Sequence, residues 1–482
     1  MVKHQGLTAW QLTMLALGTV IGGSFFLGSA VAIKAAGPGI IINFIIGGAL
    51  VTAVLYALSE MTVADPAPGS FRTFAEQAYG PMAGFIVGWV YWVGMVLAMS
   101  SEAIAVSALI KDWIPNIAVP LLGSVVIVLV TVLNLFGADR LSKLESSLAA
   151  VKLIAIVGFI VVGAAIISGF LGEGKPPRPL IDTAQPLLPS GFGGLAGSML
   201  IVMFSYAGFE IIGLAASETS NPYRTVPQAI TYTVVALVVL YVAAMGMLLL
   251  LVPTTTLPVD QSPLVSALMA WNFTWAANIM AAVLVTAILS TMLAAMFGLG
   301  RMLRSLAQEG HAPVWLQDEG SVPYKGIIVS GIAMLAGLGL GLLLPEQVYL
   351  FLVSSGGFSL LFSYAVILLT HYKLRSIRGC PPAGKCQLPG YPFTSWLAIA
   401  GIVTVIFTMP LIPGQGSGLV AGLGLMMIAS IVYGINKVLG IKKISLHKMG
   451  KVGNMQFETA QDLTSVMEEE PGRRAKEEKK EQ

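Results

Sequence analysis

Charge is what this chain has least of. Asp, Glu, Lys and Arg make up 11% of its 482 residues, where soluble domains run near a quarter. A separate soluble domain is excluded over most of the length. Histidine is scarcer still, with only His4, His311, His371 and His447, all at the edges of apolar runs or in loops and termini. That excludes a metal cluster with ligand spacing. No nucleophile–base motif or phosphate-binding loop takes its place, so no enzyme and no cofactor are expected. The net charge of +3 follows from loop placement and does not describe a nucleic-acid surface.

What is present is apolar sequence: 56% of residues are hydrophobic and the mean hydropathy is +0.83. A membrane span needs roughly 20 apolar residues. Spans are predicted near 9–34, 40–62, 82–110, 118–136, 146–170, 195–217, 228–252, 271–306, 326–344, 348–371, 393–411 and 416–439. The first run lacks a small-residue cleavage site and is taken as a span, not a removable signal. Residues 1–440 then form one twelve-span, all-α membrane domain. Residues 441–482 carry Glu468, Glu469 and Glu470 and a mixed charged end, the composition of a solvated, disordered tail.

The cations are unevenly placed. One set of loops holds Lys3, Arg72, Arg140, Lys143, Arg224, Arg301, Arg304, Lys325, Lys373, Arg375, Arg378 and Lys385, and the tail adds more; the opposite loops hold only Lys34, Lys111, Lys175 and Arg178. This bias puts both termini in the cytoplasm. Cys380 and Cys386 share one loop on that side. A disulfide or a metal pair is conceivable there, but two thiols make a poor zinc site and cytoplasmic thiols stay reduced. They are taken as incidental. Lys152 stands apart, about six residues or roughly 9 Å of helical rise inside the fifth span.

Two spans contain helix-weakening sequence at their middle. Span one reads Gly18-Thr19-Val20-Ile21-Gly22-Gly23-Ser24, and glycine costs a helix roughly 1 kcal/mol against alanine. Span six reads Phe204-Ser205-Tyr206-Ala207-Gly208-Phe209-Glu210. If both unwind, free N–H and C=O groups appear in mid-membrane. Half-helix N-termini suit a carboxylate and freed carbonyls suit an ammonium, and a zwitterionic amino acid presents both. The alternative is glycine for close helix packing. The two sites open two sets of five spans, about 9–170 and 195–371. Five is odd, so the second set enters from the opposite face, as in an inverted repeat. Spans eleven and twelve, 393–439, stand outside the pair.

Several segments carry a resemblance. They are Ala16–Phe26, Ser59-Glu60-Met61 with Pro68-Gly69-Ser70-Phe71, Gly88-Trp89-Val90-Tyr91-Trp92, Phe209-Glu210 with Glu218-Thr219-Ser220-Asn221-Pro222 and Thr225–Ile230, and Arg301–Pro313. In order and spacing the chain resembles the amino acid–polyamine–organocation transporters, and within them the bacterial amino acid permeases. It departs from them at Ser24, where the family often has a third glycine, and over Ser290–Ala294, where many permeases carry an asparagine.

The resemblance implies a twelve-helix plasma-membrane transporter with a five-plus-five inverted repeat and broken helices one and six. The substrate carboxylate would sit near Gly22, Gly23 and Ser24, and its ammonium near carbonyls of Thr19, Val20, Phe204 and Ala207, with Gly208 in the second break. Phe204 resembles the aromatic that closes over substrate in relatives; packing is its other reading. Met99, Met292 and Ser355 are candidates for the side-chain end of the pocket and suggest a neutral, apolar amino acid.

Lys152 matches a helix-five lysine that substitutes for bound sodium in some members, and burial would let it exchange a proton; snorkelling to the interface is the alternative. Glu102 and Glu210 are further proton-coupling candidates. Either could instead be structural: Glu102 as a hydrogen-bonded carboxyl in the bundle, Glu210 as an acceptor for unwound backbone. Glu60 and Glu145, near span edges, are given no transport role. Trp89 and Trp92 are taken as interfacial anchors ahead of pocket aromatics. The expected function is proton-coupled amino acid symport by alternating access. A same-fold exchanger and a non-transporting membrane nutrient sensor are the alternatives. The expected partners are an amino acid, a proton and the lipid bilayer.

Overall fold

In a computed structural model of the chain, the described residues are 7–438 except 68, 112, 137, 172–185, 217–218, 220, 260, 319, 321, 341–347 and 381–385. The tail expectation, 441–482, lies outside them. Sixteen α-helices are described: α1 Ala9–Val20, α2 Ser29–Ala36, α3 Ile40–Ala64, α4 Phe71–Tyr79, α5 Pro81–Lys111, α6 Val119–Asn134, α7 Ala138–Ile167, α8 Gly191–Ser205, α9 Ile211–Ala215, α10 Pro222–Leu251, α11 Pro263–Ala270, α12 Thr274–Gln308, α13 Tyr324–Gly339, α14 Val348–Arg378, α15 Phe393–Thr408 and α16 Gly416–Val438. No strand occurs among the described residues; one isolated bridge joins Leu7 to Thr219. Eight stretches are long and apolar enough to cross a membrane, and four shorter apolar helices, among them α1 and α8, accompany them. The chain is an all-α, multi-pass membrane protein.

Local chemistry explains the first element. Thr8 and Gln11 form a reciprocal capping box that starts α1 and satisfies two orphan donors. Ile21 is extended, with φ −75° and ψ 92°, and ends it. A π-helical turn, Ser24–Gly28, leads into α2. Spans one and six are therefore each split, as α1/α2 and α8/α9.

The packing has an internal symmetry. α5 lies against α6, α13 and α14, while α12 lies against α13, α6 and α7. α1 meets α7, α9 and α10, and α8 meets α14, α2 and α3. The short helix α4 rests on α5 as α11 rests on α12. Shifting each element to its counterpart five spans along turns these principal pairs into one another, as two structural repeats require. α15 and α16 pack outside, on α3, α5, α8 and α14.

Three expectations need correction or refinement. The expected span 146–170 contains the membrane-length run Ser147–Ile167, but its helix α7 starts earlier, at Ala138, because the polar stretch ahead of the apolar run is also helical. Lys152 therefore sits mid-helix, roughly 21 Å from its start. The second correction concerns Cys380 and Cys386, which form a disulfide across 6 residues, with Cα atoms 5.3 Å apart, inside the window a bridge needs. Just after Cys386 the amides of Gln387 and Leu388 meet Glu60. Lastly, Trp92 is buried and donates to Ser330 Oγ at 3.0 Å, and Trp89 donates to the His311 carbonyl at 3.1 Å. The Trp92 indole N–H thus serves a helix contact and that of Trp89 the loop after α12.

Candidate functional site

The break in span one is held from three other helices. After Ile21, the amides of Phe25 and Phe26 turn back to the Gly22 carbonyl at 3.2 and 3.3 Å. The Gly23 amide leaves the helical pattern and donates to Glu102 Oε2 of α5 at 3.1 Å. On the other side of the break, Lys152 Nζ of α7 donates to the Gly18 carbonyl and, at 3.0 Å, to Thr291 Oγ1 of α12. Thr291 Oγ1 lies 3.1 Å from the Ile21 carbonyl, to which it can donate. A cation thus meets the carbonyl end of α1, and an anion meets the free amide on the far side of the break. That is the arrangement helix dipoles favour.

Both glycines are needed for closeness. A Cβ on Gly22 would come within 2.9 Å of Thr291 Oγ1, and one on Gly23 would collide with Glu102 Oε2. Lys152 has no solvent exposure and Glu102 has 4%. The lysine therefore extends into the bundle, where the apolar surroundings would strand an unpaired charge.

The break in span six carries its own carboxylate and is also held from other helices. α8 ends at Ser205, and residues 206–210 form turns before α9. Gly208 has φ +108°, a conformation costly for any residue with a Cβ, and a Cβ there would lie 3.0 Å from the backbone of Thr19. Glu210 Oε2 accepts from the Gly208 amide at 3.1 Å, and its carboxylate also accepts from Tyr91 at 2.9 Å and Tyr364 at 3.3 Å. Ser24 Oγ donates to the Phe204 carbonyl at 3.3 Å, tying the two breaks together.

Between the breaks lies a cavity of about 10 Å³, enough for one water. Its lining combines Ser24 and Gly28 with Ser101 and Glu102 of α5, Ile201 and Phe204 of α8, and Tyr349, Leu350 and Val353 of α14. Of the sequence candidates, Ser24, Phe204 and Glu102 reach this cavity. Thr19 and Val20 are buried at the end of α1, and Ala207 and Gly208 lie in the facing turn. Met99, Met292 and Ser355 are buried but do not line the cavity. Val31, Ile201, Tyr349, Leu350 and Val353 stand there instead. Which side of a wholly apolar helix faces inward depends on packing phase, which composition does not reveal.

Two polar clusters were missed. Glu60, buried at the end of α3, accepts from His371 Nε2 at 2.7 Å, from Arg375 at 3.2 Å and from the amides of Gln387 and Leu388. Arg72 of α4 is fully buried and pairs with Glu76 at 3.1 Å and with Glu309. Burial alone would raise the Glu309 carboxyl, but Arg72, the Glu76 hydrogen bond and His311 outweigh it and hold it below the ordinary carboxylate range. The signal available in sequence was the unusual placing of charge at span ends. Apart from Glu76, four residues from Arg72, its partners lie hundreds of residues away.

Comparisons with known proteins agree with this architecture. The amino acid permease family profile matches residues 11–447. The aromatic amino acid transport protein AroP of Escherichia coli (strain K12) is 33% identical over 417 residues, covering 85% of this chain and 91% of that protein. The gamma-aminobutyric acid permease of Bacillus subtilis (strain 168) is 31% identical over 436 residues, with 89% and 93% covered. The uncharacterized amino acid permease YtnA of the same organism is 30% identical over 440 residues, with 89% and 95% covered.

Proposed function

From the premise that this chain belongs to the amino acid permease family, and so is an amino acid transporter, we propose that it is a proton-coupled symporter of a neutral, mainly apolar amino acid. It works by alternating access in the plasma membrane through twelve crossings, with both termini cytoplasmic. The observation that carries the mechanism is the pair of facing breaks with Lys152 lodged at the carbonyl end of α1. A fixed ammonium at that carbonyl does what a bound cation would do, and its proton can be exchanged as access changes. The charge bias of the loops supports the orientation, and the paired packing of α1–α7 with α8–α14 supports the repeat boundaries near 9–170 and 195–371.

In this reading the zwitterion spans the two breaks. Its carboxylate meets the amides near Gly22, Gly23 and Ser24, and its ammonium meets carbonyls of Thr19, Val20, Phe204 and Ala207. Phe204 closes over it. The apolar side of the pocket is formed by Val31, Ile201, Leu350 and Val353, with Met99, Met292 and Ser355 in the packing behind. The name of AroP points to an aromatic side chain within this class.

The test is uptake into proteoliposomes of radiolabelled phenylalanine, tyrosine, tryptophan, leucine and gamma-aminobutyrate. An inside-alkaline gradient should drive accumulation of at least one neutral apolar amino acid above its outside concentration, and a protonophore should abolish it. Counterflow at zero gradient with no gradient-driven accumulation would make the chain an exchanger. Binding without any flux would make it a sensor.

A further inference from the structure

We propose that Glu102 is an internal competitor for the substrate carboxylate: it occupies the amide seat at the first break, and an amino acid binds by displacing it. This rests on the reading of that break as the carboxylate seat.

The argument is geometric. The Gly23 amide, freed by the break, points to Glu102 Oε2 at 3.1 Å. This is a donor the substrate carboxylate would use. A Cβ on Gly23 would overlap Oε2, so the carboxylate is packed directly against the Gly23 backbone. Glu102 also lines the cavity of about 10 Å³ between the breaks, so an amino acid cannot enter until something leaves. Among the cavity-lining residues Glu102 alone is a carboxylate, already seated where the incoming one must go.

Its surroundings give the displaced group somewhere to settle. Among the described residues, the titratable groups that face it are Lys152 of α7 and Tyr349 of α14. α12 contributes the Ile288 side chain beside Gly23. A charged Glu102 competes for the amides, whose partial positive charge favours an anion. A protonated one holds them weakly and yields the seat. Amino acid binding is therefore linked to uptake of one proton by Glu102, and affinity strengthens as pH falls.

The experiment measures the Kd of the purified full chain for radiolabelled phenylalanine from mildly acid to mildly alkaline pH, in wild type, Glu102→Gln and Glu102→Ala. Wild-type Kd should weaken with rising pH by up to about tenfold per unit, the limit for one linked proton. Both variants should flatten that slope and bind more tightly than wild type at alkaline pH. The glutamine variant keeps the shape of the side chain and carries the test if the alanine variant fails to fold. Phenethylamine, which has no carboxylate, should gain nothing from either variant. Wild-type slope retained in Glu102→Gln, or weaker phenylalanine binding by that variant at every pH, would overturn the proposal. A Gly22→Val control separates the two levels. If it loses phenylalanine binding while the Glu102 variants give no relief, only the competitor role fails. If it binds phenylalanine normally, or wild type binds none, the seat itself is wrong and the proposal falls with it.

Discussion

The two helix breaks solve one problem in different ways. Each leaves a backbone amide without a helical partner, and each supplies a buried carboxylate to it. At the second break the carboxylate is Glu210, 2 residues from the Gly208 amide it accepts, and fixed further by Tyr91 and Tyr364. At the first it is Glu102, 79 residues from Gly23 and carried on a different helix. Lys152 and Thr291 also reach that break from outside, from α7 and α12. A contact made within one turn moves with the turn. A contact made between helices is broken when those helices part. Parting helices would therefore strip the first break of its carboxylate, while the second would lose Tyr91 and Tyr364 but keep Glu210 on the Gly208 amide.

The strongest test of that contrast is Lys152→Ala. It removes the cation from the Gly18 carbonyl and from Thr291, and with it the exchangeable proton. Gradient-driven uptake in proteoliposomes should fall by about a hundredfold, equivalent to roughly 2.7 kcal/mol at RT ln 100. Residual counterflow is permitted. Full gradient-driven accumulation by this variant would end the coupling role and erase the distinction between the breaks.

The glycines should separate the two breaks next. Gly208→Ala forces a Cβ into φ +108° and against the Thr19 backbone. The conformational cost alone is roughly 1–2 kcal/mol, so thermal unfolding in detergent should come several degrees earlier, with uptake reduced in proportion to the folded protein. Gly22→Ala meets only the Thr291 side chain, closest at 2.9 Å. It should cost less stability and more coupling, because Thr291 is one of the groups that hold Lys152. Equal stability losses in the two variants, with equal coupling, would remove the asymmetry.

Much of this was legible in the sequence, for physical reasons that differ by feature. The helices fall where apolar runs reach membrane length, because hydrocarbon leaves backbone polar groups no partner outside the helix. The breaks at Gly22 and Gly208 were legible because glycine clusters with polar residues at the middle of two spans five apart, although glycine alone also serves close packing. Lys152 was legible because a cation there is costly. The pocket wall was not. Met99 and Val353 are equally apolar, and only the rotation of each helix decides which one meets the cavity. The Glu60–His371–Arg375 cluster was hidden for another reason: it joins the ends of α3 and α14, 311 residues apart for Glu60 and His371. The cysteine bridge needed the turn between α14 and α15, which spacing alone does not draw.

The smallest expected effect on pH dependence sharpens the comparison most. Glu210→Gln keeps the size of the side chain but replaces one acceptor oxygen by a donor. Gly208, Tyr91 and Tyr364 all donate to the carboxylate, so one buried donor is left facing another. That costs roughly 1–3 kcal/mol, and thermal unfolding should come a few degrees earlier. If Glu210 serves only the shape of its turn, the pH profile of phenylalanine binding should stay that of wild type, in contrast to Glu102→Gln. A flattened profile in Glu210→Gln would mean that the second break also takes up a proton, and that the carboxylate nearest in sequence is as mobile as the one from afar.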